Sequence, residues 1–354
     1  MKRILVVRVD RIGDSVLSTP AIAMIQDQIK DTKITYVVRP EIKPIFEGLV
    51  DEVWPFESLG RFGFFESFLK LVAEIRKKRF DAALILQNNR ILSAAIYAAG
   101  VPVRVGPYSH PLSFLTFNHG LRQRRSRSEK NEAEYGLDLA KVLMSVLGET
   151  KLVSLKNYTP KVSLSSEAVS RARDSLLEMG WSSQLKTVVV HPGMGGSALN
   201  WPEKYYLQLI EALARGFQVV VTAGAADGDL LERYRGALAQ TKNLQGQLFF
   251  WTDKNAPSGL SDFLGVLSLA DLVIAPSTGP LHLAAALGKR VISFYPPITV
   301  QNVKRWGPYG APNATVFTPE VKCGAIFTCM GARCHDYPCM EKISVREVLE
   351  KARL

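Results

Sequence analysis

The stretch RILVVRV at residues 3–9 is followed by the loop DRIGDS at residues 10–15 and by a helical pattern that runs from about Ser15 to Lys30. A short, continuously apolar run of this kind predicts a strand that is buried on both faces of a parallel sheet. Similar runs predict further strands at residues 33–38, 80–86, 187–190, 218–222, 272–275 and 290–295. Because helical patterns separate these runs, the sequence predicts an α/β fold with parallel sheets covered on both faces.

The alternating pattern starts twice, near Lys2 and near Lys186. A chain of 354 residues fits two domains at about 150 residues each. The polar stretch 148–161 is the predicted linker, so we place the domains at 1–160 and 161–335, followed by a C-terminal segment, 336–354. Ligands of such sheets bind beyond the carboxyl ends of the strands, which directs attention to the loops that follow them.

The composition is that of an ordinary globular protein, with a basic excess. Lysine and arginine number 44 and aspartate and glutamate 33, which gives a formal net charge of +11. This excess suggests an anionic partner: nucleic acid, an anionic membrane face or a phosphorylated substrate. No apolar stretch reaches the roughly 20 residues of a membrane span. The first apolar run has no cleavage site after it, so we interpret it as the first strand of a cytoplasmic protein.

The loop after the first predicted strand places Asp14 at the start of a helix. The helix dipole favours the charged form of a carboxylate there, and Gly13 lets the backbone approach a ligand closely. A lone carboxylate beside a ligand site suits a general base for a hydroxyl nucleophile. Asp14 or Ser15 could equally be a helix N-cap.

The second informative loop, His191–Glu203, contains Gly193, Gly195, Gly196 and Ser197 ahead of a helix that begins near Pro202. Several backbone N–H groups could converge there on an anion, with a helix N-terminus behind them. We therefore favour phosphate binding over a mobile surface loop. The sequence matches neither a Walker loop nor a dinucleotide-binding fingerprint.

The third loop follows the predicted strand 272–275 and enters a helix. Ser277 or Thr278 could cap this helix, Gly279 and Pro280 begin it, and His282 lies in its first turn. Hydroxyl and N–H groups at this point predict a second site for a diphosphate. His282 could be catalytic or merely structural.

Together these loops resemble glycosyltransferase family 9, the ADP-heptose:lipopolysaccharide heptosyltransferases. The matching stretches are RIGD at residues 11–14 with LSTPAI at 17–22, HPG at 191–193 through the Trp-Pro pair at 201–202, STGPLHLAAALG at 277–288, and PCM at 338–340. The resemblance implies a GT-B fold, in which two Rossmann-like domains face a central cleft and the C-terminal segment crosses back to the first domain. It also implies inverting, metal-independent transfer of heptose from ADP-heptose to the lipopolysaccharide inner core.

On this resemblance Asp14 is the general base, the second domain binds the nucleotide sugar and no cofactor is needed. Two departures from the family pattern stand out. Many members carry a lysine just before the Trp-Pro pair, where this chain has Ala198-Leu199-Asn200, and well-studied members have aspartate at the position of Ser277. The alternatives are a family 9 transferase that uses another nucleotide sugar, and an epimerase-like enzyme of the same fold.

Basic residues concentrate in the half expected to bind the acceptor. The stretch 122–127 contains Arg122, Arg124 and Arg125. We predict that these three arginines, together with Arg11 and Gly13, bind the phosphorylated lipid A core or lie against the inner membrane face. The alternative is a solvated loop. Nucleic acid is a poorer partner because no recognised binding module is present.

Four cysteines, Cys323, Cys329, Cys334 and Cys339, fall within the C-terminal part of the chain, with His335 among them. Their spacing is not the paired CxxC spacing of a zinc ribbon. We therefore favour reduced thiols in a surface loop over a metal site or a disulfide, and expect no metal.

Overall fold

The computed structural model describes residues 1–58, 63–109, 113–149, 154–224, 227–239, 241, 247–252 and 255–353. The chain forms two compact units. The first contains residues 1–125 and 130–163, and the second contains residues 126–129 and 164–354. The division after residue 163 lies close to the predicted boundary at 160, and part of the predicted linker, residues 150–153, lies outside the described residues.

The first unit is built on a parallel six-stranded sheet with the strand order β3-β2-β1-β4-β5-β6. Its strands are β1 (Lys2–Val7), β2 (Thr32–Val38), β3 (Glu52–Pro55), β4 (Ala82–Ile85), β5 (Val103–Pro107) and β6 (His119–Leu121). The apolar side chains of β1 and β4 are fully buried. The predicted strands at 3–9, 33–38 and 80–86 are therefore confirmed, with small shifts at their ends.

The helices of the first unit are α1 (Ile12–Val16), α2 (Thr19–Gln28), α3 (Phe64–Lys78), α4 (Arg90–Ala98), α5 (Ser113–Thr116) and α6 (Glu132–Val146). The single helix expected over residues 15–30 is thus two helices, α1 and α2. The break falls at Leu17 and Ser18. Pro20 lies in the first turn of α2, where its missing N–H group needs no partner, so the sequence supports a new helix start.

The second unit repeats this architecture with the strand order β12-β11-β10-β7-β8-β9, again entirely parallel. Its strands are β7 (Thr187–Val190), β8 (Gln218–Thr222), β9 (Leu248–Trp251), β10 (Leu272–Pro276), β11 (Arg290–Phe294) and β12 (Ala314–Phe317). Its helices are α7 (Ser166–Glu178), α8 (Glu203–Leu213), α9 (Leu230–Leu238), α10 (Leu260–Leu269), α11 (Gly279–Ala286), α12 (Val303–Trp306) and α13 (Val345–Ala352).

Both sheets have the strand order of a Rossmann domain, in which the chain works outward first to one side of the initial strand and then to the other. The order reverses between β1 and β4 in the first sheet and between β7 and β10 in the second. Loops that leave the carboxyl ends of these strands diverge to opposite faces and leave a crevice between them. The loops after β1, β7 and β10 are the three that the sequence singled out.

The C-terminal segment packs on the second unit, which corrects the expectation that residues 336–354 cross back to the first domain. Met340, Ile343 and Val348 are buried in the same apolar core as α8 and β11. The indole Nε1 of Trp201 donates a hydrogen bond to the carbonyl oxygen of Ile343 (3.0 Å). The apolar face of α13 is therefore buried against the second unit, which precedes this helix in sequence. Within the described part of the chain, no helix is long and apolar enough to span a membrane.

Candidate active site

Asp14 lies in the first turn of α1, just beyond the carboxyl end of β1. Its side chain is 19% exposed, and its Oδ1 is 2.5 Å from Nη2 of Arg8. Arg8 directly follows β1 and is 3% exposed. Gly13 beside it is buried, whereas Arg11 is exposed. The carboxylate is thus accessible on one side and held by a buried guanidinium on the other.

The guanidinium of Arg8 is shared among three carboxylates. Besides Asp14, it contacts Oδ2 of Asp10 (2.9 Å) and Oε1 of Glu132 (3.1 Å). Burial opposes its charge, but Glu132, Asp14 and Asp10 together raise the pKa of Arg8 above its usual value. Burial also raises the pKa of Asp10, against the lowering effect of Arg8. Arg8 is therefore a permanent cation at the centre of an acidic cluster.

Arg125 belongs to the same cluster, which changes the role predicted for it. Its Nη1 lies 2.6 Å from Oε1 of Glu132, and its Nη2 donates to the carbonyl oxygen of Leu86 (2.8 Å). Its Nε and Nη2 also donate to Oε1 of Gln123. These contacts hold the guanidinium inside the protein, so Arg125 is not an outward-facing phosphate ligand. Arg122 and Arg124, by contrast, are exposed, as an acceptor-binding role requires.

The glycine-rich loop after β7 does bind a carboxylate, but one from this chain. The backbone N–H groups of Met194 and Gly195 both donate to Oδ1 of Asp227 (3.0 Å each). The N–H and hydroxyl groups of Ser197 both donate to the carbonyl oxygen of Met194. The predicted phosphate donors Gly195 and Ser197 are therefore used within the protein. Asp227 supplies the negative charge that the sequence analysis assigned to a ligand.

The loop after β10 presents an open helix N-terminus. Thr278 is the N-cap residue of α11 but makes no side-chain cap hydrogen bond, and Pro280 occupies the first turn. Ser277, Thr278 and Gly279 are half-buried. The first N–H groups of a helix have no partner within it, and its dipole attracts negative charge. An open helix N-terminus of this kind suits an anion, and the diphosphate site that the sequence places at this turn stays a prediction.

His282 lies one turn into α11 and is buried. Burial lowers its pKa to about 4, so the imidazole is neutral near pH 7 and cannot act there as a cationic phosphate ligand. The loops after β7 and β10 leave adjacent strands, and the N–H of His191 donates to the carbonyl oxygen of Ile274 (2.8 Å). The two predicted phosphate loops thus begin side by side, at the carboxyl ends of the two central strands of the sheet.

Comparison with known proteins shows the family to which the chain belongs. The sequence profile described as glycosyltransferase family 9 (heptosyltransferase) matches residues 68–329. A Haemophilus influenzae protein assigned as a glycosyltransferase is 34% identical over 314 residues, covering 87% of this chain and 86% of that protein. The chain belongs to glycosyltransferase family 9.

More distant relatives fit the same assignment. Lipopolysaccharide heptosyltransferase 3 of Escherichia coli is 23% identical, over 80% of this chain and 79% of that protein. The structure of E. coli ADP-heptose lipopolysaccharide heptosyltransferase II superimposes with a TM-score of 0.76 at 20% identity, covering 99% of this chain and 97% of that one. This family 9 protein is therefore a glycosyltransferase with the GT-B fold, built from two parallel six-stranded Rossmann-like sheets.

Three residues that contact predicted site residues could not be found from the sequence pattern: Arg8 and Glu132 on the first unit and Asp227 on the second. Arg8 lies within the stretch 3–9, for which the sequence pattern predicts only a strand. Glu132 and Asp227 are 124 and 33 residues away in sequence from the groups they contact. The one available signal was Arg8 itself, because a charge at the end of a buried strand needs partners.

The four cysteines of this family 9 protein line one shared pocket on the second unit, together with Asp336 and Tyr337. All four are free thiols. Cys339 is buried, and burial together with the neighbouring thiols raises its pKa. In the part of the chain that the structure describes, no three histidine, cysteine or acidic side chains are grouped so as to hold a metal ion.

Proposed function

We propose that this family 9 glycosyltransferase transfers heptose from ADP-heptose to the inner core of lipopolysaccharide, with Asp14 as the general base. The observation that carries the proposal is the half-open position of Asp14, whose carboxylate is fixed by buried Arg8 and still reaches solvent. A base needs this combination because it must be ionised, oriented and accessible to the substrate hydroxyl. The name of the E. coli relative, lipopolysaccharide heptosyltransferase 3, supports the sugar and acceptor class.

In the proposed reaction Asp14 takes the proton from an acceptor hydroxyl. That oxygen attacks the anomeric carbon of the heptose while the bond between this carbon and the phosphate oxygen breaks. ADP leaves with the electron pair of the broken bond. Because attack and departure take place on opposite faces of the sugar, the configuration at the anomeric carbon inverts.

Departure of ADP places negative charge on the diphosphate, which the second unit has to stabilise. The N-terminus of α11 supplies the Gly279 N–H group, the helix dipole and the hydroxyls of Ser277 and Thr278. Neutral His282 can share a hydrogen bond but adds no charge. In this proposal backbone and hydroxyl groups stabilise the leaving group, and neither a metal nor another cofactor is required.

The acceptor side of the proposal rests on the exposed cations of the first unit. Arg11, Arg122 and Arg124 all reach solvent. Arginine side chains bind phosphates through paired hydrogen bonds, so these residues suit the phosphorylated lipid A core. We propose that the protein works in the cytoplasm, at the inner membrane face, where such exposed cations would also be attracted to anionic lipids.

A different nucleotide sugar is the second candidate donor. Ala198-Leu199-Asn200 stands where many family members have a lysine, and the N–H of Leu199 is bonded to Oε1 of Gln301 (3.0 Å). This segment therefore contributes no cation to a diphosphate, which leaves room for a different donor preference.

The test is to incubate the protein with a panel of ADP-, UDP- and GDP-sugars, with and without lipid A core acceptors, and to analyse products by mass spectrometry. We expect ADP release and a heptose-sized mass increase of the acceptor, both dependent on that acceptor. Release of UDP or GDP would instead identify a different donor. Conversion of a sugar nucleotide without an acceptor would indicate an epimerase-like enzyme.

A further inference from the structure

Asp227 lies in the loop after β8 and connects two loops of the second unit. Its Oδ1 accepts hydrogen bonds from the N–H groups of Met194 and Gly195 in the loop after β7. Its Oδ2 accepts one from the N–H of Gly224 (2.8 Å) in its own loop. Three backbone donors thus converge on one carboxylate, the arrangement that backbone nests use to bind anions.

The fit between Asp227 and the glycine-rich loop is close. A Cβ atom on Gly193 would lie 2.0 Å from Oδ2 of Asp227 and 2.4 Å from its Cγ, which is well inside van der Waals contact. A side chain at position 193 would therefore displace the carboxylate from the position in which it accepts these hydrogen bonds. This explains one glycine of the motif without reference to any ligand.

Besides Asp227, Ser197 also holds this loop, because its N–H and hydroxyl groups donate to the carbonyl oxygen of Met194. Gly195 and Gly196 have φ values of 53° and 69°, in the left-handed region that glycine adopts readily, and both are exposed. Such residues lose much conformational entropy when they are ordered. Hydrogen bonds to a charged acceptor are stronger than neutral ones and can offset part of that loss.

We propose that Asp227 is a positioning residue for the donor: its carboxylate holds the loop 193–197 in the conformation that receives the diphosphate of the nucleotide sugar. This inference rests on the proposed function, in which the loops after β7 and β10 bind that diphosphate. Met194 and Gly195 direct their N–H groups at Asp227, and Gly196 is the exposed glycine whose N–H group is not directed there. Among the described residues, no hydrogen bond is seen from the N–H of Gly196, so this donor is available to a phosphate oxygen.

The experiment compares Asp227→Ala and Asp227→Asn with the wild-type protein. Asp229→Ala is the matched control, because Asp229 is an exposed carboxylate two residues away that pairs with Arg233. Two properties are measured: amide hydrogen exchange of the peptide that covers residues 192–199 in the free protein, and affinity for ADP and for UDP by calorimetry. Where turnover is detected, KM for the donor and kcat are measured separately.

For Asp227→Ala we expect faster exchange at Met194 and Gly195, and an ADP dissociation constant and donor KM about tenfold or more higher. We expect kcat to change much less, since the base lies on the other unit. Asp227→Asn keeps one acceptor oxygen, so its exchange rate and ADP dissociation constant should lie between those of the wild type and Asp227→Ala. Asp229→Ala should match the wild type. Gly193→Ala should weaken nucleotide binding as Asp227→Ala does, and combining the two substitutions should not add their effects.

Three results would overturn the inference. Unchanged exchange in Asp227→Ala would mean that the carboxylate does not fix the loop, and faster exchange with unchanged nucleotide affinity would make its role structural only. Tighter nucleotide binding would mean that the carboxylate competes with the diphosphate. The proposed function could fail while this inference holds. If the wild-type protein preferred UDP or turned over no ADP-sugar, the proposed donor would be wrong. Hydrogen exchange and UDP affinity, compared between wild type and Asp227→Ala, would still show whether Asp227 positions the loop.

Discussion

Arg8 and Asp14 form an ion pair across the boundary between the buried sheet and the protein surface. The Nη2–Oδ1 distance is 2.5 Å, and the side chains are 3% and 19% exposed, respectively. Arg8 also contacts Asp10 and Glu132, so its removal would take this cation away from Asp10 and Asp14, whereas Glu132 would keep its contact with Arg125. The proposed base is thereby tied to the stability of the first unit.

Substitution of Asp14 should remove catalysis while leaving donor binding intact. For Asp14→Asn and Asp14→Ala we expect kcat to fall by about 10²–10⁴, the usual contribution of a general base. The dissociation constant for ADP should stay within about twofold, because the loops proposed to bind the diphosphate lie on the second unit. Steady-state kinetics and calorimetry measure the two quantities. Retained turnover in a folded Asp14→Ala variant would contradict the assigned role.

Substitution of Arg8 should affect both folding and catalysis. Arg8→Met removes the cation from the partly buried Asp10 and Asp14 while Glu132 keeps Arg125, and we expect a loss of about 3 kcal/mol in the free energy of unfolding. Arg8→Lys keeps the charge but cannot bridge three carboxylates, so it should fold and show a lower kcat with an unchanged donor KM. Arg3→Met, an exposed site on the same strand, is the control for urea unfolding. Equal effects at the two positions would refute the shared-cation interpretation.

The exposed arginines Arg122 and Arg124 should contribute to acceptor binding through charge. We expect the double alanine variant to raise KM for a phosphorylated core acceptor roughly tenfold and to weaken binding to anionic vesicles. Both effects should shrink as salt is raised. A variant with Arg215→Ala and Arg346→Ala removes the same charge from exposed sites on the second unit. If that variant changed the acceptor KM and vesicle binding as much as the Arg122 and Arg124 variant does, the effect would come from net charge and not from these two arginines.

His282 should make the second unit sensitive to acid. Its pKa is about 4 in the folded protein and about 6.5 when unfolded, so between these values the unfolded chain binds the extra proton. Stability from this residue is therefore fully present above pH 6.5 and is lost as the pH falls toward 4. Between pH 7 and pH 5 we expect a loss of about 2 kcal/mol. Urea unfolding at both pH values should show a smaller loss for His282→Gln, whereas His335→Gln, a fully exposed site, should behave like the wild type.

The central strands were predictable because they are buried on both faces. β1, β7, β8 and β10 consist mainly of short runs of aliphatic residues, and such runs are typical of strands in a parallel sheet that helices cover on both faces. The edge strands β3 and β12 are half-exposed, so their sequences carry no comparable pattern. The break between α1 and α2 was missed for a similar reason, since the apolar pattern continues through it.

The sequence by itself determined the class of fold, the two-domain organisation and the loops that bear Asp14, the glycine cluster and the start of α11, because these depend on patterns a few residues long. Only the tertiary structure decided which charges meet. Glu132 and Arg125 join Arg8 across more than a hundred residues, Asp227 occupies the nest of the glycine-rich loop, and the C-terminal helix packs on the second unit. The physical reason is that a buried charge or an apolar stripe must find a partner, but local sequence does not say which one.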